Sequence, residues 1–293
     1  GAARAFEMPC QQTFLPSLVP PHMFPRAAAV SSSLFQAAAV TGPSVGGLLY
    51  GAGAGVCYIV CALGFGLAML GTFLLPLRNM ARARQPLSVS MFMEVWHFMR
   101  ERPDMLGAIS LDLFAVLLGG ATAMLPVYAS DILHAGPTGL GLLRAAPAMG
   151  AVACALFFVW KPLNHRAGAF MFAAVATFGV ATIVFAFSTS MTLSILALAV
   201  LGAADVISVV VRGALVQLRT PDSMRGRVSA VNMLFIGSSN QLGEFESGML
   251  ASMVGPVEAV ALGGAGTIVV TLLWMRMFPG LRRLDRLDDI RAD

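Results

Sequence analysis

Long apolar blocks separated by short polar connections dominate the hydrophobic pattern of this chain. Eight blocks approach or exceed the ~20 residues that a helix needs to cross a bilayer, and they cover residues 27–50, 56–77, 105–129, 139–160, 167–187, 191–211, 228–253 and 257–278. Backbone polar groups must be satisfied inside lipid, so each block is a helix or a barrel strand. Barrel strands would be about ten residues long and alternating. The pattern therefore predicts an all-α polytopic membrane protein with eight crossings.

Composition and the placement of basic residues both indicate a membrane protein. Only 12% of the 293 residues are charged, about half the share in a soluble domain, which excludes a single soluble globule. The net charge of +4 does not indicate a nucleic-acid partner, because Arg and Lys lie on alternate connections. Residues 51–56, 130–138, 187–191 and 253–257 carry none. This positive-inside pattern predicts a cytoplasmic C-terminus and contact with membrane lipid headgroups.

An internal repeat relates the first crossing to the seventh at an offset of 201 residues. The matched positions are Pro20 with Pro221, Met23 with Met224, Arg26 with Arg227, Gly42 with Gly243 and Gly47 with Gly248. The repeat unit is then six crossings long, so crossings three to eight form one unit and the first two end another. Twelve helices are predicted for the parent architecture, with four upstream of Gly1 and residues 1–13 as the end of the fourth.

Four segments follow from the crossings and the repeat. They are residues 1–77 (remainder of an N-terminal bundle), 78–103 (a cytoplasmic central loop), 104–279 (a C-terminal bundle) and 280–293 (a cytoplasmic tail). Within the central loop, Val89, Phe92, Trp96 and Met99 fall on one helical face. We therefore predict an in-plane helix at the headgroups with Trp96 as its interfacial anchor.

The first crossing carries a glycine- and proline-rich motif with Gly42, Pro43, Gly46 and Gly47 at its defining positions. This motif resembles the antiporter motif of major facilitator superfamily exporters, which lies on their fifth helix, and the repeat assigns this crossing to the same place. LPVYASDIL and TPDSMRGRVSAV further along resemble the branch that contains drug:proton antiporters and enterobactin exporters. The resemblance implies the major facilitator fold, with an incomplete N-terminal bundle and a complete six-helix C-terminal bundle. It also implies a bacterial inner-membrane protein that is monomeric at full length.

Two polar loops resemble cytoplasmic loop motifs of the same family. Asn164-His165-Arg166-Ala167-Gly168 is similar to a loop that usually has Asp before Arg-x-Gly. His165 occupies the Asp position here, whereas Arg166 and Gly168 match. Arg225, Gly226 and Arg227 lie in the second loop. These arginines bind headgroups or cap helix ends on the simpler interpretation, and the resemblance implies a conformational-switch role.

Ionisable residues inside the crossings are the candidate functional groups, since each costs roughly 2.5–3.5 kcal/mol near a helix centre. Asp112, Asp205 and Arg212 lie in the inner half of the membrane, and Arg144, Glu244 and Glu246 lie in the outer half. Asp205, Ser208 and Arg212 share one helical face. We interpret the inner group as proton-coupling or substrate residues, with structural pairing as the alternative. For the outer group we predict that Arg144 forms a structural or gating salt bridge with one of the glutamates.

Small residues predict close helix packing in the seventh crossing, where Ala230, Ser239, Gly243, Ser247 and Gly248 repeat the small positions of the first. The four cysteines have no metal or redox spacing. We predict no metal and no cofactor.

Three functions remain for such a chain. The favoured one is secondary active export of a small amphipathic or hydrophobic molecule, such as a drug or siderophore, driven by inward proton movement through alternating access. The chain contains no Gly-x-x-x-x-Gly-Lys-Ser/Thr loop, which argues against an ATP-driven pump. A lipid or lysolipid flippase on the same fold is the alternative. A polytopic membrane enzyme is a remote third possibility.

Overall fold

A computed structural model describes residues 27, 34, 38, 41–43, 45–74, 89–160 and 165–285. The regular structure of these residues is entirely helical. The chain divides into two compact units, residues 1–86 and residues 87–293. The predicted repeat superposition and the end of a further helix at residues 1–13 fall mostly outside the described residues, so both stay predictions.

The first unit contains helical residues up to position 51 and the helix α1 (Ala54–Leu74). Gly53, with a φ of +132°, joins them, and this backbone conformation favours glycine. The side chains of α1 are apolar and mostly exposed within the described structure. A helix of this kind is suited to lipid or to partner helices.

The second unit contains eight helices among its described residues. They are α2 (Val89–Arg100), α3 (Pro103–Leu118), α4 (Gly136–Trp160), α5 (Ala167–Ala186), α6 (Met191–Arg219), α7 (Asp222–Val254), α8 (Pro256–Met277) and the short α9 (Pro279–Arg282). After Gly119 and Gly120, α3 continues through irregular helical turns as far as Ile132. Pro at the first position of α3, α8 and α9 suits a helix start, where its missing N–H is not needed.

Six helices among the described residues are long and apolar enough to cross a membrane. They are Ala54–Leu74, Pro103–Ile132, Gly136–Phe158, Ala167–Ala186, Met191–Arg219 and Pro256–Met277, and they coincide with six of the eight predicted blocks. The predicted seventh crossing is a helix, α7, whose polar residues keep it out of this group. Half of the first predicted block lies outside the described residues.

Close backbone contacts fix how the helices of the second unit cross. A Cβ on Gly202 of α6 would lie 1.9 Å from the carbonyl O of Pro147 on α4. A Cβ on Gly179 of α5 would lie 2.9 Å from the carbonyl O of Gly264 on α8. Small residues permit such approaches between membrane helices, where packing replaces the hydrophobic effect as the driving force.

The predicted close packing of the seventh crossing is confirmed at three of its five positions, and Ala230 is half-buried. Ser239 and Ser247 are buried, and Ser239 Oγ donates a hydrogen bond to the carbonyl O of Leu113 on α3. A Cβ on Gly243 would lie 2.9 Å from the carbonyl O of Leu117. Gly248, by contrast, is exposed and has no atom within 4 Å of an added Cβ.

The helix α2 forms in the central loop, and its buried face includes Phe92 and Met99 of the predicted face. Val95, Phe98 and Met99 are buried against the core, whereas Trp96 is 45% exposed. The location of α2 at the headgroups stays a prediction.

Candidate functional site

A buried ion pair joins α3 to α6 in the second unit. Arg212 Nη2 lies 3.2 Å from Asp112 Oδ2, and the two residues are only 5% and 6% exposed. Leu111 and Val211, their neighbours in the sequence, belong to a buried apolar cluster. A buried charge is stable only when it is paired and hydrogen-bonded, so each of these residues depends on the other.

Two neutral side chains also form hydrogen bonds with this pair. Ser208 Oγ donates to Asp112 Oδ1 at 3.2 Å, and Arg212 Nη1 donates to Asn232 Oδ1 on α7 at 3.3 Å. Arg212 Nε is buried and has no hydrogen-bond partner among the residues that the structure describes. The pair therefore links three helices and keeps one unused donor.

Two small cavities lie on either side of Asp112. One is lined by Arg212, Asn232 and Ser239 among others, and the second by Asp205, Ser208 and Phe178 among others. Each has a volume of about 10 Å³, which is close to the space that one water molecule needs. The walls of both are mostly apolar, but the polar side chains named here also line them and could hydrogen-bond to a water molecule.

Asp205 is the second carboxylate of this group, which we call the charged cluster (Asp112, Asp205, Ser208, Arg212 and Asn232). Its side chain is half-buried and lines the cavity that Asp112 and Ser208 also line. Within the described part of the chain it has no hydrogen bond or ion pair. Two carboxylates and one guanidinium leave the ionised cluster with a net charge of −1, which is costly away from water. The arrangement can take up one proton or bind a hydrogen-bond donor.

The outer group of predicted residues is not assembled in this conformation. Arg144 and Glu244 are exposed and Glu246 is half-buried. No ion pair among the described residues joins Arg144 to either glutamate. The reason lies in the packing, because α4 packs chiefly against α6, whereas α7 packs against α3 and α8. The predicted salt bridge is absent here, and a gating role stays a prediction.

The four antiporter-motif positions are helical in the first unit. Gly42 is exposed, and Pro43, Gly46 and Gly47 are half-buried. Cys57 Sγ of α1 lies 4.0 Å from the carbonyl O of Gly46. A Cβ on Gly42 or Gly46 would meet no atom within 4 Å in the described structure. The close approach that this motif implies is therefore not observed among these residues.

The first loop motif contacts the end of the second unit. Arg166 has a left-handed backbone (φ +57°), and its N–H donates to Asp285 Oδ1 at 2.8 Å. A Cβ on Gly168 would lie 1.8 Å from the carbonyl O of Leu281, so this position requires glycine. His165 Nδ1 lies 3.7 Å from Asp285 Oδ2.

The second loop motif lies at the start of α7. Arg227 forms an ion pair with Glu94 of α2. Gly226 is exposed, and the side chain of Arg225 lies outside the described residues. A nearby pair, Arg219 with Asp104 at 2.8 Å, joins the end of α6 to the start of α3.

Three residues of these sites were missed by sequence reasoning. Asn232 is one of three amide residues in an apolar block, and Asp104 and Asp285 lie near helix ends, where charged residues are common. Charge and distance from the ends of the crossings were the only available signals, and they indicated the inner group of Asp112, Asp205 and Arg212.

Comparisons with known proteins agree with this architecture. The sequence pattern that defines the Major Facilitator Superfamily matches residues 1–244. The enterobactin exporter of Citrobacter koseri is 28% identical over 277 residues, which cover 92% of this chain and 64% of that protein. The enterobactin exporters of Salmonella choleraesuis and Salmonella typhi are 27% and 26% identical over 275 residues, with 92% of this chain and 65% of each relative covered. The chain thus spans slightly less than two thirds of the length of these relatives.

Proposed function

We propose that this chain, which belongs to the Major Facilitator Superfamily, works as a proton-driven exporter of a small amphipathic molecule. The family, the bacterial relatives and the six apolar helices make it a multi-pass protein of the bacterial inner membrane and a transporter rather than an enzyme. The proton, the direction of transport and the substrate are parts of the proposal.

The charged cluster is the observation that supports proton coupling. Arg212 compensates Asp112 through a direct contact, which leaves Asp205 as the carboxylate without a cationic partner among the described residues. A proton on Asp205 would bring the cluster to neutrality. Moving one charge through 100 mV is worth about 2.3 kcal/mol, so a single titrating carboxylate is enough to couple the membrane potential to a conformational change.

The position of the cluster suits alternating access. Asp112 lies on α3 and Asp205 on α6, inside two of the apolar helices. In transporters of this architecture, substrate and coupling-ion sites lie near the bilayer midplane. In our proposal, Asp205 takes up a proton from outside, the neutral cluster permits the return conformation, and the proton leaves inside.

The substrate class rests on the relatives. They are enterobactin exporters, and we propose a siderophore or an amphipathic drug of similar character for this chain. Flipping of a lipid or lysolipid on the same fold is tested as a competing outcome.

Vesicle transport measurements test the proposal. Inverted membrane vesicles carrying the protein expressed from its complete gene are given an imposed pH gradient and then enterobactin, a hydrophobic dye or a fluorescent lipid. We expect gradient-dependent accumulation of the siderophore or the dye. Gradient-independent accumulation would exclude proton coupling, and movement of the lipid alone would establish the flippase.

The matched variants Asp205→Asn and Glu246→Gln locate the coupling residue. Asp205→Asn keeps the shape of the side chain but removes its charge, so gradient-driven transport should fall to the level without a gradient while downhill exchange persists. Glu246→Gln should have a milder effect, because Glu246 lies outside the charged cluster. If Asp205→Asn retains the gradient dependence of the unmodified protein, Asp205 is a packing residue.

A further inference from the structure

The start of α5 lacks a cap from its own neighbourhood. The first turn of any helix has backbone N–H groups without intrahelical acceptors, and a local Ser, Thr, Asp or Asn usually accepts from them. The residue in the cap position here is Arg166, whose side chain makes no capping hydrogen bond. Its left-handed backbone conformation is rare for a residue with a side chain.

A segment 119 residues away accepts from these N–H groups instead. Asp285 Oδ1 accepts from the N–H of Arg166 at 2.8 Å. The carbonyl O of Asp285 accepts from Ala167, and that of Leu284 accepts from Gly168, both at 3.1 Å. The carboxylate also lies at the positive end of the α5 dipole, where a negative charge is favourable.

Shape fixes the same contact independently of charge. Leu281 is fully buried in the core of the second unit, and its carbonyl O occupies the space that a Cβ on Gly168 would need. The segment from Pro279 to Asp285, which we call the clasp, therefore sits against the first turn of α5 and leaves no room for a larger residue there.

The clasp adds a further backbone contact between α5 and the region of α8. Gly179 and Gly264 already bring the two helices into backbone contact about three turns further along α5, and the clasp follows directly from the end of α8. Two contacts at different heights prevent α5 from tilting or rotating against α8, whereas a single crossing would act as a pivot.

We propose that Asp285, which follows α9 near the C-terminal end of the second unit's sequence, is a positioning residue that caps α5. As a result, α5 and α8 move as one body during transport. Asp285 supplies the carboxylate from a distant part of the sequence. The residue that directly precedes Arg166 in the loop is His165, which has no carboxylate. This role depends on neither the identity of the substrate nor proton coupling.

Hydrogen exchange in lipid nanodiscs tests the cap directly. In Asp285→Ala, the amides of Arg166, Ala167 and Gly168 should exchange about fivefold faster, the ratio that corresponds to a cap of about 1 kcal/mol. Asp285→Asn keeps an acceptor oxygen and should restore most of the protection. Asp131→Ala removes an exposed carboxylate elsewhere in the unit and should leave these amides unchanged.

A glycine pair tests the shape of the contact without changing charge. Gly168→Ala should raise exchange at the same amides, because the new Cβ displaces Leu281. Gly280→Ala is the matched control, since a Cβ on Gly280 meets no atom within 4 Å in the described structure.

Transport kinetics separate a positioning role from a purely local cap. With the hydrophobic dye as substrate, Asp285→Ala should lower the maximal rate and leave KM within about twofold, because the loss falls on the conformational step rather than on binding. Unchanged exchange in Asp285→Ala would refute the cap. Faster exchange with an unchanged maximal rate would refute the positioning role.

Discussion

At the scale of single residues, Asp112 and Arg212 form a buried ion pair whose desolvation costs free energy. Each side chain is almost completely removed from solvent, and the cost of removing two charges from water can exceed their mutual attraction. Such a pair contributes little net stability, but the loss of either partner leaves an uncompensated charge. The structure therefore makes these positions interdependent rather than individually stabilising.

A double-mutant cycle measures that interdependence. Arg212→Met alone should destabilise the folded protein by about 3–5 kcal/mol, because Asp112 is left charged and unpaired. The double variant Asp112→Leu/Arg212→Met should recover most of the loss. Thermal unfolding in detergent, followed by circular dichroism, gives both values. A single variant as stable as the unmodified protein would show that the pair is not formed.

Sequence reasoning identified every member of the charged cluster except Asn232, but it did not identify their contacts. Counting residues from the ends of the crossings placed Asp112, Asp205 and Arg212 in the inner half of the membrane, and helical spacing put Asp205 and Arg212 on one face. The rotation of α3 and α7 about their own axes depends on tertiary packing. The link from Arg212 to Asn232 and the cap from Asp285 were therefore not available from local pattern.

At the scale of helices, apolar blocks predicted which segments are helical better than they predicted where those helices end. The block at 191–211 became Met191–Arg219 and the block at 228–253 became Asp222–Val254, because polar residues beyond the apolar core continue the hydrogen-bond ladder. Backbone crossings decide how these helices pack. Each crossing requires a small residue at one particular position along the helix, as at Gly202.

Two glycines on the same helix test this control of packing. Gly202→Ala should destabilise the protein by about 1–3 kcal/mol or prevent folding, because the Cβ would overlap the backbone at Pro147. Gly213→Ala should be neutral or stabilising by up to about 1 kcal/mol, because the space beside Gly213 is open in the described structure and Ala favours helix. The yield of monodisperse protein on size-exclusion chromatography compares them. Equal yields would contradict the close crossing.

At the scale of the whole molecule, the distribution of basic residues predicts the orientation in the membrane. Arg166, Arg219, Arg227 and Arg282 occur at the same set of alternate helix ends. The positive-inside rule places these ends, with the C-terminus, in the cytoplasm. The clasp and the ion pair of Arg227 with Glu94 would then both lie on the cytoplasmic side.

Reporter fusions check this orientation. A fluorescent protein attached after Asp293 should be bright, and alkaline phosphatase attached at the same point should be inactive, because the first folds in the cytoplasm and the second needs the periplasm. A second pair of fusions after Ala135, on a connection without basic residues, should give the opposite result. An active phosphatase after Asp293 would reverse the assignment.

The glycine crossings also limit how the sequence can change in length. One inserted residue rotates the rest of a helix by about 100° and shifts it by 1.5 Å. An insertion in α6 before Gly202 would thus turn a larger neighbour toward Pro147, and one in α5 before Gly179 would do the same toward Gly264. Substitutions at lipid-facing positions carry no such penalty. Homologous sequences of different length should therefore place their insertions and deletions in the connections between helices. Within each of these paired helices, the number of residues between the glycine and the nearer end of the helix should stay constant.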